Sequence, residues 1–433
     1  MNKILRNRPL QFVFIANLVS MMGSGMNTAA TTWYLLQTTH SEMALGLLVV
    51  LNTLPAIVTM PFTGVIIDRE DRRRLVMFLD AARAVITLAV AVLALQHRIV
   101  NWELYAAAMA VSAGFWMFWP TVTALIQELT PESEFVHSNT FLLAGVQGGW
   151  MLAGALVGYA YNHIGLGGVL MIDCSTYIVS FLCYFLVRKG RHVPRPASPQ
   201  AAAQLPGDSV SDLGGELRQA ESDIARFWHE LREGYDFLRA NIHILPLGIS
   251  WSLFISGMWT QGILTPPLSD RVLHAGAAGY GDMNASWAVG AFLSAAYSAF
   301  LIRRLRGRRS VALSMAVLGG CLFLLPYSRF LKVAMAIYFV MGSARGIGGV
   351  GITSGMMELV PVQFMGRVQN TFYFLATLLQ IVFGLLIGAV AHGIALAGGF
   401  FIVGILYLTA AFSAGAPVTH SRAVAADPAM PAR

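Results

Sequence analysis

Twelve times this chain runs for about twenty residues with hardly a charge, and that recurrence restricts its fold more than any other feature. Inside hydrocarbon, backbone amides must bond within their own segment, so each run has to be a helix. Cutting at charges and at Gly/Pro punctuation places the runs at 10–36, 44–67, 75–96, 103–127, 139–161, 168–187, 245–268, 283–302, 311–328, 333–357, 370–391 and 395–414. A soluble domain is about 45–50% apolar and about 25% charged, whereas this chain is 56% hydrophobic and 12% charged. The predicted class is an all-α membrane protein of twelve transmembrane helices in two six-helix bundles, 1–188 and 245–414.

Basic residues set the expected orientation. Lys3, Arg6 and Arg8 precede span 1, and Arg69, Arg72, Arg73 and Arg74 follow span 2. Arg188, Lys189 and Arg191 follow span 6, and Arg303 to Arg309 carry five arginines after span 8. The alternate loops hold little beyond Arg98, Arg271, Arg329 and Lys332. Both termini and the middle segment are therefore expected in the cytoplasm, with the chain in the cytoplasmic membrane. The net charge of +7 is no nucleic-acid footprint, because the arginines lie in loops between spans. Cys174, Cys183 and Cys321 all lie inside apolar runs and read as packing residues, neither a disulfide framework nor a metal site. The first run continues to about Leu36 without a cleavage pattern and reads as a retained helix.

Between the groups, residues 189–244 form a linker. Pro194 to Gly207 is rich in Pro, Ala, Gln and Ser and reads as flexible. From about 213 to 241, Leu217, Ile224, Trp228, Leu231, Tyr235 and Leu238 recur at helical spacing between charges, which predicts an amphipathic helix on the cytoplasmic membrane face. The tail, 415–433, reads as disordered. Three pairs of segments repeat in order. Glu128-Leu129-Thr130-Pro131 matches Glu358-Leu359-Val360-Pro361, Asn139-Thr140-Phe141 matches Asn370-Thr371-Phe372, and Gly167-Gly168 matches Gly398-Gly399. The shift is 230 (358 − 128), then 231 (370 − 139), which implies two parallel halves about an axis along the membrane normal.

Span 2 ends in the turn Gly64-Val65-Ile66-Ile67-Asp68-Arg69-Glu70-Asp71-Arg72-Arg73-Arg74. Its Gly-x-x-x-Asp-Arg-x-x-Arg-Arg spacing resembles the loop 2–3 signature of the major facilitator superfamily. Pro361 through Gly366-Arg367-Val368 resembles the loop 10–11 signature of its drug:proton antiporter family 3, the macrolide-efflux and siderophore-exporter branch. Phe227 to Tyr235 is similar to the segment before span 7 in efflux branches. The resemblance implies a conformational latch at the cytoplasmic side. Its residues are Gly64, Asp68, Arg69, Arg72, Arg73 and Glu128, with Gly366, Arg367 and Asn370 at the start of span 11. There Asp68 meets the positive end of a helix dipole. The alternative is a topology-fixing basic loop. In the second half Arg308-Arg309 correspond to Arg73-Arg74, but Arg303 stands where Asp68 would be.

In the family that this sequence resembles, spans 1, 4, 7 and 10 line the central cavity. Span 1 carries Asn17, Ser20, Ser24, Thr28 and Thr31 at steps of three or four, so they share a face that lines a cavity or bonds to a neighbouring helix. Arg345, midway between Lys332 and Glu358, would sit near the bilayer centre, where an arginine costs about 2.5–3.5 kcal/mol or more without water or a partner. By the repeat it corresponds to Phe115, beside Trp116 and Trp119. An aromatic wall opposite one fixed positive charge would suit an amphipathic substrate with a carboxylate or another electron-rich group. The competing reading is a structural arginine bonded to carbonyls of a broken helix. Gly346-x-Gly348-x-x-Gly351 matches a dinucleotide fingerprint by letter, but it lies inside a span with no preceding strand. Gly154/Gly158 and Gly384/Gly388 read as small-xxx-small contacts. Asp80 with Arg83 reads as a structural ion pair in span 3. No acid reads as clearly at mid-depth, and Asp173, placed near the outer end of span 6, is the first candidate for proton coupling because its surroundings resemble the efflux branch.

The resemblance thus implies a monomeric exporter of small amphipathic organic molecules working by alternating access and driven by a proton gradient in a lipid bilayer, without cofactor. A siderophore or other anionic-metabolite exporter and a lysophospholipid flippase are alternatives on the same fold. A membrane-embedded transferase would need acid pairs for Mg²⁺-diphosphate or a His-Asp constellation, and neither stands at the end of a span. A non-transporting sensor would have no use for a latch.

Overall fold

In the computed structural model, residues 8–130, 135–187, 213–305 and 307–415 are described, although some side chains within them, Asp68 and those of 213–223 among them, are not. The expected flexible stretch 194–207 and the expected disordered tail beyond Gly415 lie outside the described residues.

The described residues are almost wholly helical. The first half contains α1 (Arg8–Thr39), α2 (Glu42–Arg69), α3 (Arg72–Leu95), α4 (Asn101–Leu129) and α5 (Phe135–Leu186). α5 carries the fifth and sixth spans. Gly165, at φ 64°, breaks it where the sequence places the loop between them. Only a residue without Cβ enters that backbone region at little cost. Next comes the amphipathic helix α6 (Leu213–Ala240). The second half contains α7 (Leu245–Thr260), α8 (Gly276–Leu305), α9 (Arg308–Leu324), α10 (Leu331–Leu359), α11 (Val362–Gly393) and α12 (Leu396–Gly415). Ten of these helices, α5 among them, are long and apolar enough to cross a membrane by length and composition. Counting α5 twice and adding the 30-residue α8 gives the twelve spans.

The seventh span differs from its expected form. The sequence predicts one run over 245–268, but α7 ends at Thr260 and continues as a 3₁₀ turn, a short α-turn at Thr265–Pro267 and a π turn at Leu268–Val272. Pro266 and Pro267 have no amide hydrogen to donate, so the regular ladder cannot pass through them.

The spans are amphipathic in the inverted sense. On α3, Phe78, Val85 and Val92 recur every seven residues and are exposed, while Asp80, Arg83 and Thr87 are buried. Within the first half α1 packs along both segments of α5, α3 on α4 and α5, and α2 on α4. Within the second, α8 packs on α10, α9 on α10 and α12, and α7 on α11 and α12. Two seams join the halves, α2 with α11 and α5 with α8. Each is a glycine contact. A Cβ on Gly46 would stand 2.5 Å from Gly384 O, and one on Gly281 would stand 2.9 Å from Gly158 N. The three cysteines are buried free thiols.

Candidate functional site: a cavity between the two halves

A cavity of about 440 Å³ lies between the halves. From the first half it takes Ser24, Thr28 and Thr31 of α1 and Phe115 and Trp116 of α4. From the second it takes Trp287 of α8, Arg345 of α10 and Tyr407 of α12. Arg345 is the single charged side chain lining it among the described residues. Its guanidinium stands 4.8 Å from the Trp287 ring centroid, within cation–π range. Its Nε lies 3.0 Å from Met258 Sδ, a weak acceptor. Among the described residues no carboxylate pairs with it. Phe115 and Trp116 meet edge to face at 6.0 Å. Trp116 Nε1 donates to Asn52 O at 3.0 Å, which fixes the indole in the wall.

Three residues expected in the cavity do not line it. Asn17 and Ser20 are fully buried. The Asn17 Nδ2 donates to Val13 O at 2.7 Å and to Tyr184 OH at 3.0 Å. Identical spacing did not give an identical environment because α1 changes neighbours along its length. At this level it is pressed against α5, where a Cβ on Gly149 would stand 2.5 Å from Leu18 O. Trp119 lies one turn below Trp116 and packs with Phe118 and Leu125 in the apolar core of the first half.

The expected latch residues divide into two groups at the basic end of the bundle. Arg72 Nη1 pairs with Glu128 Oε1 at 3.1 Å and donates to Ala124 O at 3.2 Å, tying α3 to α4. Arg73 donates from Nε to Tyr184 O at 2.8 Å and from Nη2 to Phe185 O, satisfying the last carbonyls of α5. Both links stay within the first half. Arg367 of α11 pairs instead with Glu233 of α6 at 3.0 Å. α6 covers the start of α11 closely: a Cβ on Gly234 would stand 2.8 Å from Arg367 O, and Phe237 stacks on Phe364 at 4.4 Å. Asn370 is half-buried, Arg69 is exposed, and Gly64 and Gly366 are exposed with nothing within 4 Å of an added Cβ. Asp68 lies in the last turn of α2, and its side chain is outside the described set. No ion pair between α2 and the start of α11 is present among the described side chains.

The opposite end is held shut across the halves, by residues that the sequence reading did not single out as functional. Glu42, at the start of α2, is fully buried. Its Oε1 pairs with Arg271 Nη1 at 2.5 Å, and its Oε2 lies 3.3 Å from His392 Nδ1. Arg271 also donates to His40 O at 2.9 Å. Trp33 of α1 stacks on Tyr280 of α8 at 5.8 Å. The available signal was a carboxylate opening span 2 with Arg271 in a loop otherwise poor in charge.

The ionisable groups inside the first half also differ from expectation. Asp80 and Arg83 form the expected ion pair. Asp173, however, is not at a span end. It is fully buried and lies eight residues past the Gly165 break (173 − 165), about 12 Å along the helix. Its Oδ2 accepts from Asn27 Nδ2 at 2.6 Å, and Asn27 lines the cavity. Asn27 falls one position off the polar stripe read on span 1. The spacing Gly23, Asn27, Thr31 would have marked it.

Two helix bundles around a central cavity, closed at one end and lined by a single charged side chain among the described residues, fit a membrane transporter. The chain belongs to the Major Facilitator Superfamily, whose sequence profile matches residues 13–384. It is 23% identical over 376 residues to an uncharacterised MFS-type transporter, YkuC, of Bacillus subtilis (strain 168), covering 85% of this chain and 82% of that protein. It is 22% identical over 257 residues to macrolide efflux protein A of Streptococcus pyogenes, covering 59% of this chain and 58% of that one. The multidrug efflux pump Tap of Mycolicibacterium fortuitum is 26% identical over 189 residues, 42% of this chain and 45% of Tap. The fold matches the crystal structure of the nucleoside transporter NupG with a TM-score of 0.70 at 13% identity, over 94% of this chain and 98% of that one.

Proposed function

We propose that this transporter exports small amphipathic organic molecules, drug- or macrolide-like, from the cytoplasm by alternating access in exchange for protons. The basic end of the bundle faces the cytoplasm, following the arginine bias of its loops. The chain works as a monomer in the cytoplasmic membrane. One observation carries the substrate class: among the described residues the Arg345 guanidinium has no carboxylate partner and is the single charge in an aromatic-rich cavity. Aromatic faces offer area to a flat or lipophilic body at low entropic cost. A lone desolvated cation attracts a carboxylate or another electron-rich group. The efflux relatives support the outward direction. Arg345 also favours a second reading, a siderophore or another anionic metabolite as the cargo.

The latch belongs to the other half of the cycle. With the opposite end sealed by Glu42, Arg271 and His392, Gly64 and Gly366 face open space. In the state closed at the basic end, Asp68 and Gly64 of α2 meet the start of α11 near Gly366 and Asn370. α6 must then yield part of that face.

The test is accumulation in cells stripped of their own efflux pumps, expressing the wild type, Asp68→Asn or Arg345→Ala, against dyes, macrolides and catecholate siderophores. Lower accumulation of one class, reversed by either substitution and by a protonophore, is the expected result. Unchanged accumulation across the panel, with protein in the membrane, overturns the export reading. Transport undiminished in Arg345→Ala removes the role of that residue.

A further inference from the structure

Between its two ends, the first half holds three acidic or basic side chains in its interior among the described residues: Asp80, Arg83 and Asp173, all fully or almost fully buried. Two are acids and one is a base. Arg83 is committed to Asp80. Its Nη2 bonds Asp80 Oδ1, its Nε donates to Leu79 O at 3.3 Å, and its plane lies 4.3 Å from the Phe118 ring centroid and 4.6 Å from that of Tyr177. Ser180 fills the second oxygen of Asp80 from 2.7 Å. Asp173 therefore has no cation of its own among the described residues.

The surroundings of Asp173 are neutral donors. Asn27 Nδ2 lies 2.6 Å from Oδ2, and Thr176 Oγ1 lies 3.5 Å from Oδ1. From its own helix the titratable neighbours are Cys174 and Tyr177, and from α3 they are Arg83 and Asp80. From α1, Gly23 and Asn27 face the carboxyl group, neither of them titratable. α1 also lies directly over the carboxyl group. A Cβ on Gly23 would stand 2.6 Å from Asp173 Oδ1 and 2.0 Å from Thr176 Oγ1. An ionised carboxylate so enclosed, with the one nearby cation already paired to Asp80, is costly to keep.

We propose that Asp173 is the proton-binding site of this transporter and Asn27 the lid between it and the cavity. This deepens the proton-exchange reading above and rests on it for direction. With α1 packed on α5, Asp173 holds a proton as a neutral carboxyl group. When α1 shifts, Asn27 swings away and cavity water reaches the group, which releases H⁺ to that water and becomes a carboxylate. It takes up one H⁺ again when the cavity faces the other side. Asn27 joins the two events because it belongs to both places. Its Nδ2 holds the carboxyl group, while its Oδ1 accepts from Thr31, a cavity residue, at 3.1 Å. A cargo pressing on the Ser24–Thr31 face therefore acts on the proton site through one side chain.

The experiment uses the purified full chain in lipid vesicles, as wild type, Asp173→Asn and Asn27→Ala. Asparagine is close to isosteric with a neutral carboxyl group, so Asp173→Asn should fold, and Asn27→Ala keeps the acid itself. The first readout is infrared difference spectroscopy across a pH titration, which needs no cargo. The wild type and Asn27→Ala should show a protonated-carboxyl band that titrates, and Asp173→Asn should lack it. The second readout is uptake of an amphipathic carboxylate dye, fluorescein, driven by an imposed pH gradient, beside exchange of internal for external dye with no gradient. Asp173→Asn should lose gradient-driven uptake by about tenfold or more and still exchange dye. A titrating carboxyl signal that is the same in Asp173→Asn as in the wild type overturns the proposal, as does gradient-driven uptake that survives there. Uptake by the wild type that follows a sodium gradient at constant pH overturns it too. If the band titrates and is lost in Asp173→Asn, while no gradient moves any dye, macrolide or siderophore, the proton site stands and the export reading fails.

Discussion

The two halves share one frame and put their charges in different places. The first half buries Asp80, Arg83 and Asp173 within the bundle. With the shift of 235 that relates Arg73 to Arg308, Asp80 and Arg83 correspond to Met315 and Leu318, both buried and apolar. With the shift of 231 that relates Gly167 to Gly398, Asp173 and Tyr177 correspond to Gly404 and Leu408. The second half brings its mid-depth charge, Arg345, to the cavity, where the first half has Phe115. The six-helix scaffold therefore does not need the buried charges in order to pack. The seams between the halves, by contrast, are symmetric. Gly46 and Gly281 are related by 235, and Gly154/Gly158 and Gly384/Gly388 by 230; Gly46 faces Gly384 and Gly388, and Gly281 faces Gly158 and Gly154. Symmetry is kept where the halves must close on each other, and is lost where chemistry differs.

The sharpest way to break that comparison is to give the first half the filling of the second. Asp80→Met alone leaves Arg83 buried without its partner and should destabilise the protein by about 3–5 kcal/mol. Asp80→Met with Arg83→Leu should recover most of that loss, since apolar replacement of a whole buried pair is often neutral. Thermal unfolding of the purified protein decides. If the double variant is as unstable as the single one, the pair is needed for packing and the halves are not interchangeable.

The seams offer the next test. Gly158→Leu and Gly388→Leu each thrust a side chain into facing backbone, with the Cβ 2.5 Å from Ala277 O in one and 3.0 Å from Glu42 O in the other. Each should disfavour closure of the end opposite the arginines by about 1–3 kcal/mol. Spin-label distances across that end should lengthen in both. A change in only one would show that the seams are symmetric in sequence and not in load.

Arg345→Ala should then cost roughly tenfold to a hundredfold in transport, about 1.4–2.7 kcal/mol, with unfolding little changed. Arg345→Phe, the residue of the first half, should lose transport of anionic cargo and keep that of neutral cargo. The smallest effect should come from Arg72→Ala. Its pair with Glu128 is 25% and 36% exposed, so solvent screening limits it to about 0.2–1 kcal/mol of stability. A much larger loss of transport than of stability would point to a role in switching.

Much of this architecture was legible in the chain. Apolar length fixes the helices, because hydrocarbon leaves the backbone no other partner. The repeat fixes two halves, and the depth of Arg345 between Lys332 and Glu358 marks it as a cavity residue. Local chemistry also reads through: Asp71 caps α3 by accepting from Arg74 N, and Gly165 divides spans five and six. Other features could not be read locally. Asn17 and Ser24 stand two turns apart on one helix, yet the first meets Tyr184 and the second the cavity. Periodicity gives a direction around a helix and says nothing of the neighbour there. Glu42 looks like a loop acid until Arg271 and His392, more than two hundred residues away, close over it. Asp173 looks like a span-end acid until α1 seals it behind Gly23. Sequence determined the segments, their order and their pairing by repeat, since those follow from solvent and backbone alone. The tertiary structure decided which polar groups are dry and which are paired, since desolvation and ion pairing are properties of what packs around a group.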